Sequence, residues 1–446
     1  MFRRLSHTRS LARHLSTAAA RASPAPLLTS PTPTFISSVR DGKTPAFRLL
    51  GADGSLDKEV SAEWTDKVKA VDVGKLQRLL EVMTALPILD QILNSSQRQG
   101  RISFYMTSSG EEGAVVGSAA AWENDDEVFA QYREVGVLLW RDYPLSSLMA
   151  QVFSSASDKA TLGRQMPVHY GSKEHHFHTI SSPLGTQLPQ AAGAAYALKR
   201  MPGREKSCVI CYAGEGATSE GDFHAALNMS SVLGGPLVFF IRNNGFAIST
   251  PTSQQYAGDG IAARGPGYGI ETIRVDGNDP LAVYLASKEA RRRAVEGQKP
   301  VLVEAMSYRV GHHSTSDDSS AYRSLDDVNT KKLDSALFRL RKYLEAQSPP
   351  LWSAEKDAEV KETSKRAILR EFAKAEKEKK PALEHMFGDV FAKRQGEAAE
   401  EGGELERPQR EQKAELKRLI EKWGETAAWK KELEKFEGGR EAVLNW

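Results

Sequence analysis

The chain has 446 residues, room for one large α/β domain with helical additions, and its 60 Lys and Arg nearly balance 58 Asp and Glu. No bulk positive charge therefore argues for nucleic acid or an anionic membrane. Two cysteines exclude a disulfide framework, and no apolar run reaches membrane-spanning length.

In chain order, residues 1–40 carry arginines at positions 3, 4, 9, 13, 21 and 40 and no acid before Asp41. An Arg-, Ser- and Ala-rich leader over 1–35, with a Pro/Ser/Thr linker at 24–33, predicts a mitochondrial transit peptide and hence the matrix; the remainder is mildly acidic. Residues 36–70 read as an extended arm. Apolar spacing at Leu76, Leu79, Leu80, Met83 and Leu86 predicts a helix over 72–98, and 113–122 and 190–200 are small-residue helices suited to close packing.

The run 207–213 (SCVICYA) is a buried strand, 236–242 (PLVFFIR) a second, and Ser219-Glu220-Gly221-Asp222 predicts a capping box opening the helix between them. That helix stops at Gly234-Gly235. Strands at 271–275 and 301–310 flank a helix at 281–296, whose three arginines at 291–293 form a solvated face. The body over 71–330 is thus an α/β domain with a mostly parallel sheet flanked by helices. From 331 to 446 the chain is helical and charged, with a Leu337, Leu340, Leu344 seam, helices over 353–378 and 409–437, and a loop insertion at 397–408.

The chemistry concentrates at the ends of the two central strands. Gly214-Glu215-Gly216 closes the first and Asn243-Asn244-Gly245 the second. Loops at the carboxyl ends of parallel strands are the usual ligand site. Glycines admit phosphate close to the backbone, a helix amino-terminus adds partial positive charge, and a divalent cation must offset a diphosphate. Glu215 offers a carboxylate, Asn244 an amide oxygen, and Phe246 a backbone carbonyl. Arg242 and Arg309 follow apolar strands, where a guanidinium fork suits diphosphate.

Other constellations reduce to ordinary roles. Ser314, Ser316, Asp317 and Asp318 beside His313 imitate a hydrolase triad, but no Gly-x-Ser-x-Gly elbow accompanies them. His169, His175, His176 and His178 match no zinc spacing and read as polar contacts. Cys208 and Cys211 lie in a strand, face opposite ways, and are buried fillers.

The glycine-flanked acid followed by paired asparagines resembles the diphosphate-and-metal motif of thiamin diphosphate enzymes. Four stretches narrow this: 131–145 (QYREVGVLLWRDYPL), 163–200 (with GRQMPVHYG and HTISSPLGTQ), 214–269 (with GEGATSEGDFHAALN and RNNGFAISTP) and 304–324 (with YRVGHHSTSDDSS). From about 70 to 345 the chain resembles the alpha-subunit family of the decarboxylase component of mitochondrial branched-chain 2-oxo acid dehydrogenase complexes. In that family the motif acid is Glu, as at Glu215.

The resemblance implies a thiamin diphosphate-binding fold and oxidative decarboxylation of branched-chain 2-oxo acids, with acyl transfer to the lipoyl group of a transacylase component. It implies cofactor contacts at Tyr132, Arg133, Ser182, Leu184, Gly214, Glu215, Gly216, Ala217, Arg242 and Arg309, and an active-site histidine at His313. Glu215, Asn244 and Phe246 match Mg²⁺ ligands, and Ser181, Pro183, Thr186 and Gln187 a K⁺ site. Ser314 and Ser324 resemble inhibitory phosphorylation sites, which brings in a regulatory kinase and phosphatase. A beta subunit is expected to complete the active site in a heterotetramer, with the arm lying on partner subunits. The rival is a pyruvate- or acetoin-type subunit with the same chemistry.

Overall fold

Short apolar strands joined through helices pair in parallel, because each crossover returns the chain to the same end of the sheet. The computed structural model describes residues 44–387 and 407–446 and follows this rule. The leader, its linker, the start of the arm and most of the 397–408 insertion lie outside the described residues.

The chain opens with β1 (Ala46–Phe47), α1 (Ala62–Lys69), α2 (Val73–Arg98), α3 (Glu112–Ala119), β2 (Glu127–Phe129), α4 (Val135–Trp140), α5 (Leu145–Phe153) and β3 (Phe177–His178). The central crossover is α6 (Gln187–Leu198), β4 (Val209–Gly214), α7 (Gly221–Leu233) and β5 (Leu237–Asn243). A hairpin of β6 (Phe246–Ala247) and β7 (Thr250–Pro251) follows, then α8 (Thr252–Gln255), β8 (Glu271–Asp276), α9 (Pro280–Gly297) and β9 (Pro300–Met306). Helices α10 (Leu325–Leu333), α11 (Ala336–Glu345), α12 (Ala354–Lys377), α13 (Arg407–Trp423), α14 (Ala427–Leu433) and α15 (Gly439–Leu444) complete it.

Seven parallel strands form one sheet in the order β1-β8-β9-β5-β4-β2-β3. Register pairs Gly214 with Arg242 and Asn243 with Met306, so β4, β5 and β9 end level with one another. Alternate side chains of the buried strands feed two cores. Ile210, Tyr212, Val238 and Phe240 pack with α2 and α3, while Val209, Cys211, Phe239 and Ile241 pack with α6 and α7. Cys208 and Cys211 accordingly fall in different cores, both buried.

Helix α2 starts on Asp72, whose side chain accepts from the Lys75 amide at 2.9 Å. In α3 small residues allow close helix contact: a Cβ on Gly113 would lie 2.5 Å from the Gly277 carbonyl oxygen, and one on Gly117 3.0 Å from that of Pro280. Helices α11 and α12 close over α2, with Leu340 and Leu344 fully buried on the expected seam.

Several expectations change. Within the arm, β1 pairs with β8 at the sheet edge and α1 is a regular helix, because an edge strand offers unpaired backbone groups that a neighbouring segment can satisfy. Ser219 does not cap α7. Gly216–Ser219 forms a 3₁₀ turn, the cap is Glu220 without a side-chain bond, and the Ser219 hydroxyl donates to Gln255 at 3.3 Å. Arg291 leaves the solvated face: it bonds Asp126, a fully buried carboxylate, at 2.7 and 2.8 Å, while Arg292 and Arg293 pair with Glu289 in solvent. Strand β9 ends at Met306, so Arg309 sits in the loop beyond it.

The helix expected over 409–437 is broken into α13 and α14, which with α15 beyond it pack around Ile420, Leu433 and Val443. At Gly424 a Cβ would lie 2.4 Å from the Ile420 carbonyl oxygen, and Gly438 takes φ 69°, so both breaks need glycine. This unit docks through Lys380, whose amide donates to Lys435 O at 2.8 Å and whose carbonyl accepts from Glu437 at 2.9 Å.

Candidate active site

Four adjacent strands, β9, β5, β4 and β2, send their carboxyl-terminal loops to one place. Glu215 follows β4, Asn244 follows β5, Arg309 lies beyond β9, and Tyr132 and Arg133 lie beyond β2. The glycine-flanked acid meets the residues on either side of the paired asparagines. The Glu215 amide donates to Arg242 O at 3.0 Å, and a Cβ on Gly216 would stand 2.7 Å from Ala247 Cβ, beside Phe246. Gly214 is fixed by its amide, which donates to Gln131 Oε1 at 2.8 Å, and Ala217 is buried in the turn.

Arg242 is the anchor. It is fully buried; its Nε donates to Glu134 at 2.5 Å, its Nη1 donates to Glu111, and its Nη2 has no partner. Burial alone would weaken the guanidinium charge, but Glu134 and Glu111 hold its pKa above the ordinary value. Glu111 also accepts from Asn244 Nδ2 at 2.9 Å and lies 3.9 Å from Arg133. Burial pushes the Glu111 carboxyl up, yet Arg242, Arg133 and Asn244 together keep it below its usual range.

Glu215 is in the opposite state. Burial and then the nearby Glu111 charge raise its pKa, with only a 3.4 Å bond from Gln255 Nε2 to its side chain. The Asn244 amide oxygen accepts from the Phe246 amide at 3.2 Å.

His313 sits between two arginines. Arg133 Nη2 and Arg309 Nη1 both lie 3.3 Å from its Nδ1, and Arg133 Nη2 also donates to His313 O at 2.6 Å. A guanidinium can only donate, so Nδ1 is the acceptor and the ring proton resides on Nε2. Burial, Arg133 and Arg309 pull the imidazole down to about 3, which keeps it neutral. The Tyr132 ring meets it edge-on at 5.9 Å.

Arg309 otherwise meets neutral partners, Ile248 O at 2.6 Å and the Tyr322 hydroxyl at 2.8 Å, and its Nε is buried without a partner. Burial and then Arg133 lower its pKa. Arg133 finds Thr107 O at 3.1 Å. Arg309 thus bonds no carboxylate among the described residues and Arg133 shares Glu111 with Arg242, in a buried place where an anion is stabilised most.

The loop after α5 and before α6 brings Ser181, Ser182, Pro183 and Leu184 together as exposed residues. It is pinned by Ser182 Oγ to His169 Nε2 at 2.8 Å, Thr186 Oγ1 to Pro183 O at 3.1 Å, and buried Gln187 to Tyr212 O at 3.0 Å. The remaining histidines take separate partners: His175 meets Ser172, while His176 and His178 meet Glu127. Asp317 accepts from the His313 amide at 2.7 Å and from Tyr322 at 2.6 Å, not from the imidazole, which dissolves the apparent triad. Ser314 is half-buried, and its Oγ accepts from the Ser316 amide at 3.2 Å; Ser324 is exposed.

Sequence reasoning missed Glu111, Glu134, Gln131, Tyr322 and Arg323, and marked Asp317 only as part of an apparent triad. Arg323, buried, donates to Arg309 O and, at 2.8 Å, to Gly311 O. One signal was available: Glu111 and Glu134 each immediately precede an apolar helix, where a buried acid requires a cationic partner.

Strand-end loops carrying buried arginines, an acid and an amide define an α/β enzyme that binds an anionic cofactor. The chain belongs to the dehydrogenase E1 component family, whose sequence model matches residues 80–384. Among its relatives, the mitochondrial 2-oxoisovalerate dehydrogenase subunit alpha of Homo sapiens is 56% identical over 394 residues, 88% of this chain and 82% of that protein. The Caenorhabditis elegans subunit is 52% identical over 349 residues, 78% of each chain. Subunit alpha 1 of Arabidopsis thaliana is 46% identical over 358 residues, covering 80% and 74%.

Proposed function

We propose that this chain is the alpha half of a mitochondrial, thiamin diphosphate-dependent oxidoreductase that decarboxylates branched-chain 2-oxo acids and acylates the lipoyl group of a transacylase component. One observation carries the reading. Arg133 and Arg309 converge on a neutral His313, and Arg133 lies 3.9 Å from the Glu111 carboxylate that also holds Arg242 and Asn244.

The residues suit the cofactor and its metal. Arg242 Nη2 and Arg309 Nε are buried donors without partners, which a diphosphate would satisfy. Glu215, whose carboxyl burial and Glu111 push toward the neutral form, would ionise against Mg²⁺, with Asn244 and the Phe246 carbonyl as further ligands. Tyr132, Ser182, Leu184, Gly214, Gly216 and Ala217 would line the cofactor, and Ser181, Pro183, Thr186 and Gln187 would hold K⁺. When bound, thiamin diphosphate supplies the electron sink for loss of carbon dioxide. His313, with its proton on Nε2, donates a hydrogen bond to substrate or to the incoming dithiolane. Arg133 and Arg309 orient the diphosphate.

The reading assigns a leader to 1–35, an arm to 36–70, the cofactor-binding body to 71–330 and the helical region to 331–446. A beta subunit supplies the rest of the site. Ser314 and Ser324 are its kinase and phosphatase targets: phosphate at Ser314 would compete for the arginines on either side of His313 and disorder the loop. Ser314→Glu should reduce activity of the complex at least about tenfold, since a tenfold loss is only about 1.4 kcal/mol; full activity would refute the switch.

The deciding experiment assays the reconstituted alpha–beta pair across 2-oxo acids. 3-Methyl-2-oxobutanoate should be turned over faster than pyruvate, and the reverse order would favour the pyruvate-type reading.

A further inference from the structure

One buried carboxylate lies outside the site yet is bonded to what holds it. Asp90, on α2, is only 3% exposed; it accepts from the Tyr105 hydroxyl at 2.8 Å and from the Ser108 amide at 2.6 Å. Burial pushes its carboxyl up to about 7, so the position is costly for an acid.

The segment that Asp90 grips, residues 105–111, touches the loops beyond β2, β5 and β9. Thr107 O accepts from Arg133 Nε at 3.1 Å, and Ser108 Oγ donates to Arg133 O at 3.4 Å. Ser109 O accepts from the Val310 amide at 2.9 Å and Tyr105 O from the Thr315 amide at 3.2 Å, bracketing the His313 loop. Gly110, at φ 91°, lies so close to Tyr308 that a Cβ would stand 2.0 Å from its carbonyl oxygen. Glu111 then closes the segment on Arg242 and Asn244.

We infer that Asp90 is a positioning residue: through residues 105–111 it sets Arg133, Arg242 and the His313 loop in register for the cofactor. Two hydrogen bonds donated to Asp90 on α2 fix the start and the middle of an irregular segment that has no ladder of its own, and the segment transmits that placement through its carbonyls. The inference rests on the thiamin diphosphate reading of the site.

The test uses the alpha–beta complex with Asp90→Ala, Asp90→Asn and, as a control for lost stability, Leu79→Ala on the same helix. Two quantities are measured: the Kd of thiamin diphosphate with Mg²⁺, and tryptic cleavage after Arg309 and Arg323, which are 1% and 7% exposed. Asp90→Ala should weaken binding about tenfold or more and open both cleavage sites. Asp90→Asn, whose amide oxygen still accepts from Ser108, should restore most of both, and Leu79→Ala should leave both near wild type. Unchanged binding and cleavage in Asp90→Ala would overturn the inference, as would an equal effect of Leu79→Ala or a failure of Asn to rescue. If the wild-type complex bound no thiamin diphosphate, the cofactor reading would fall. The cleavage readout needs no cofactor and would still decide Asp90.

Discussion

A guanidinium as buried as that of Arg242 is held in place by paired acids, and Glu111 serves four groups at once: Arg242, Asn244 and, through its charge, Arg133 and Glu215. Glu111→Gln keeps the shape but leaves Arg242 with one carboxylate, so it should destabilise the chain by about 3 kcal/mol. Thermal or denaturant unfolding measures this, and a loss below about 1 kcal/mol would contradict the network. His313 gives a signed pH effect. Its folded pKa of about 3 lies below the unfolded value of 6.5, so the unfolded chain takes up the proton first as pH falls. Without cofactor, the wild type should therefore lose stability relative to His313→Asn between pH 7.5 and pH 5, by roughly 2 kcal/mol. A constant difference would show that the imidazole is not held neutral. Glu215, Asn244 and His313 were legible in the sequence because each follows a recognisable strand in a polar, glycine-marked loop. Glu111 carried only the signal of preceding an apolar helix, and nothing local marks Asp317 as the partner of the His313 amide and Tyr322.

The strand–helix–strand unit of β4, α7 and β5 was legible for a similar reason: short apolar runs bounded by glycine have few alternatives. Its start was not, because the Ser219 hydroxyl goes to Gln255, a partner 36 residues away. Distant partners also decide how α9 begins. Asp279 caps it through the amides of Leu281 and Ala282 and accepts in addition from Leu49 and Leu50 at 2.6 Å each, tying the segment after β1 to the helix. Asp279→Ala removes a cap worth about 1 kcal/mol and leaves two buried amides unpaired, for a total of about 3–5 kcal/mol. Unfolding midpoints and exchange of the Leu49 and Leu50 amides would report it, and retained protection of those amides would refute the tie.

Taken whole, the molecule accounts for the acids around its site. Glu111 and Glu134 hold Arg242, Asp317 holds the His313 amide and Tyr322, and Glu215, buried, accepts only from Gln255 among these side chains. With Glu215 proposed as a metal ligand, none of these four remains to exchange a proton with the cofactor, which fits a site shared with a second chain. The isolated chain should accordingly not decarboxylate 3-methyl-2-oxobutanoate, and adding the beta subunit should restore turnover. Strong activity of the chain alone would end the shared-site reading.

The sequence by itself determined the α/β class, the central crossover and the acid, amide and histidine at its loops, because short-range spacing and turn chemistry dictate them. Only the tertiary structure decided that β9, β5, β4 and β2 lie side by side, that the arm contributes an edge strand, and that Arg291 goes inward to Asp126. Those outcomes depend on pairings between residues far apart in the chain, and no local pattern of charge or hydrophobicity encodes a partner 165 positions away. The opening turn was readable for its glycines; what surrounds Glu215 was settled by four strands ending together.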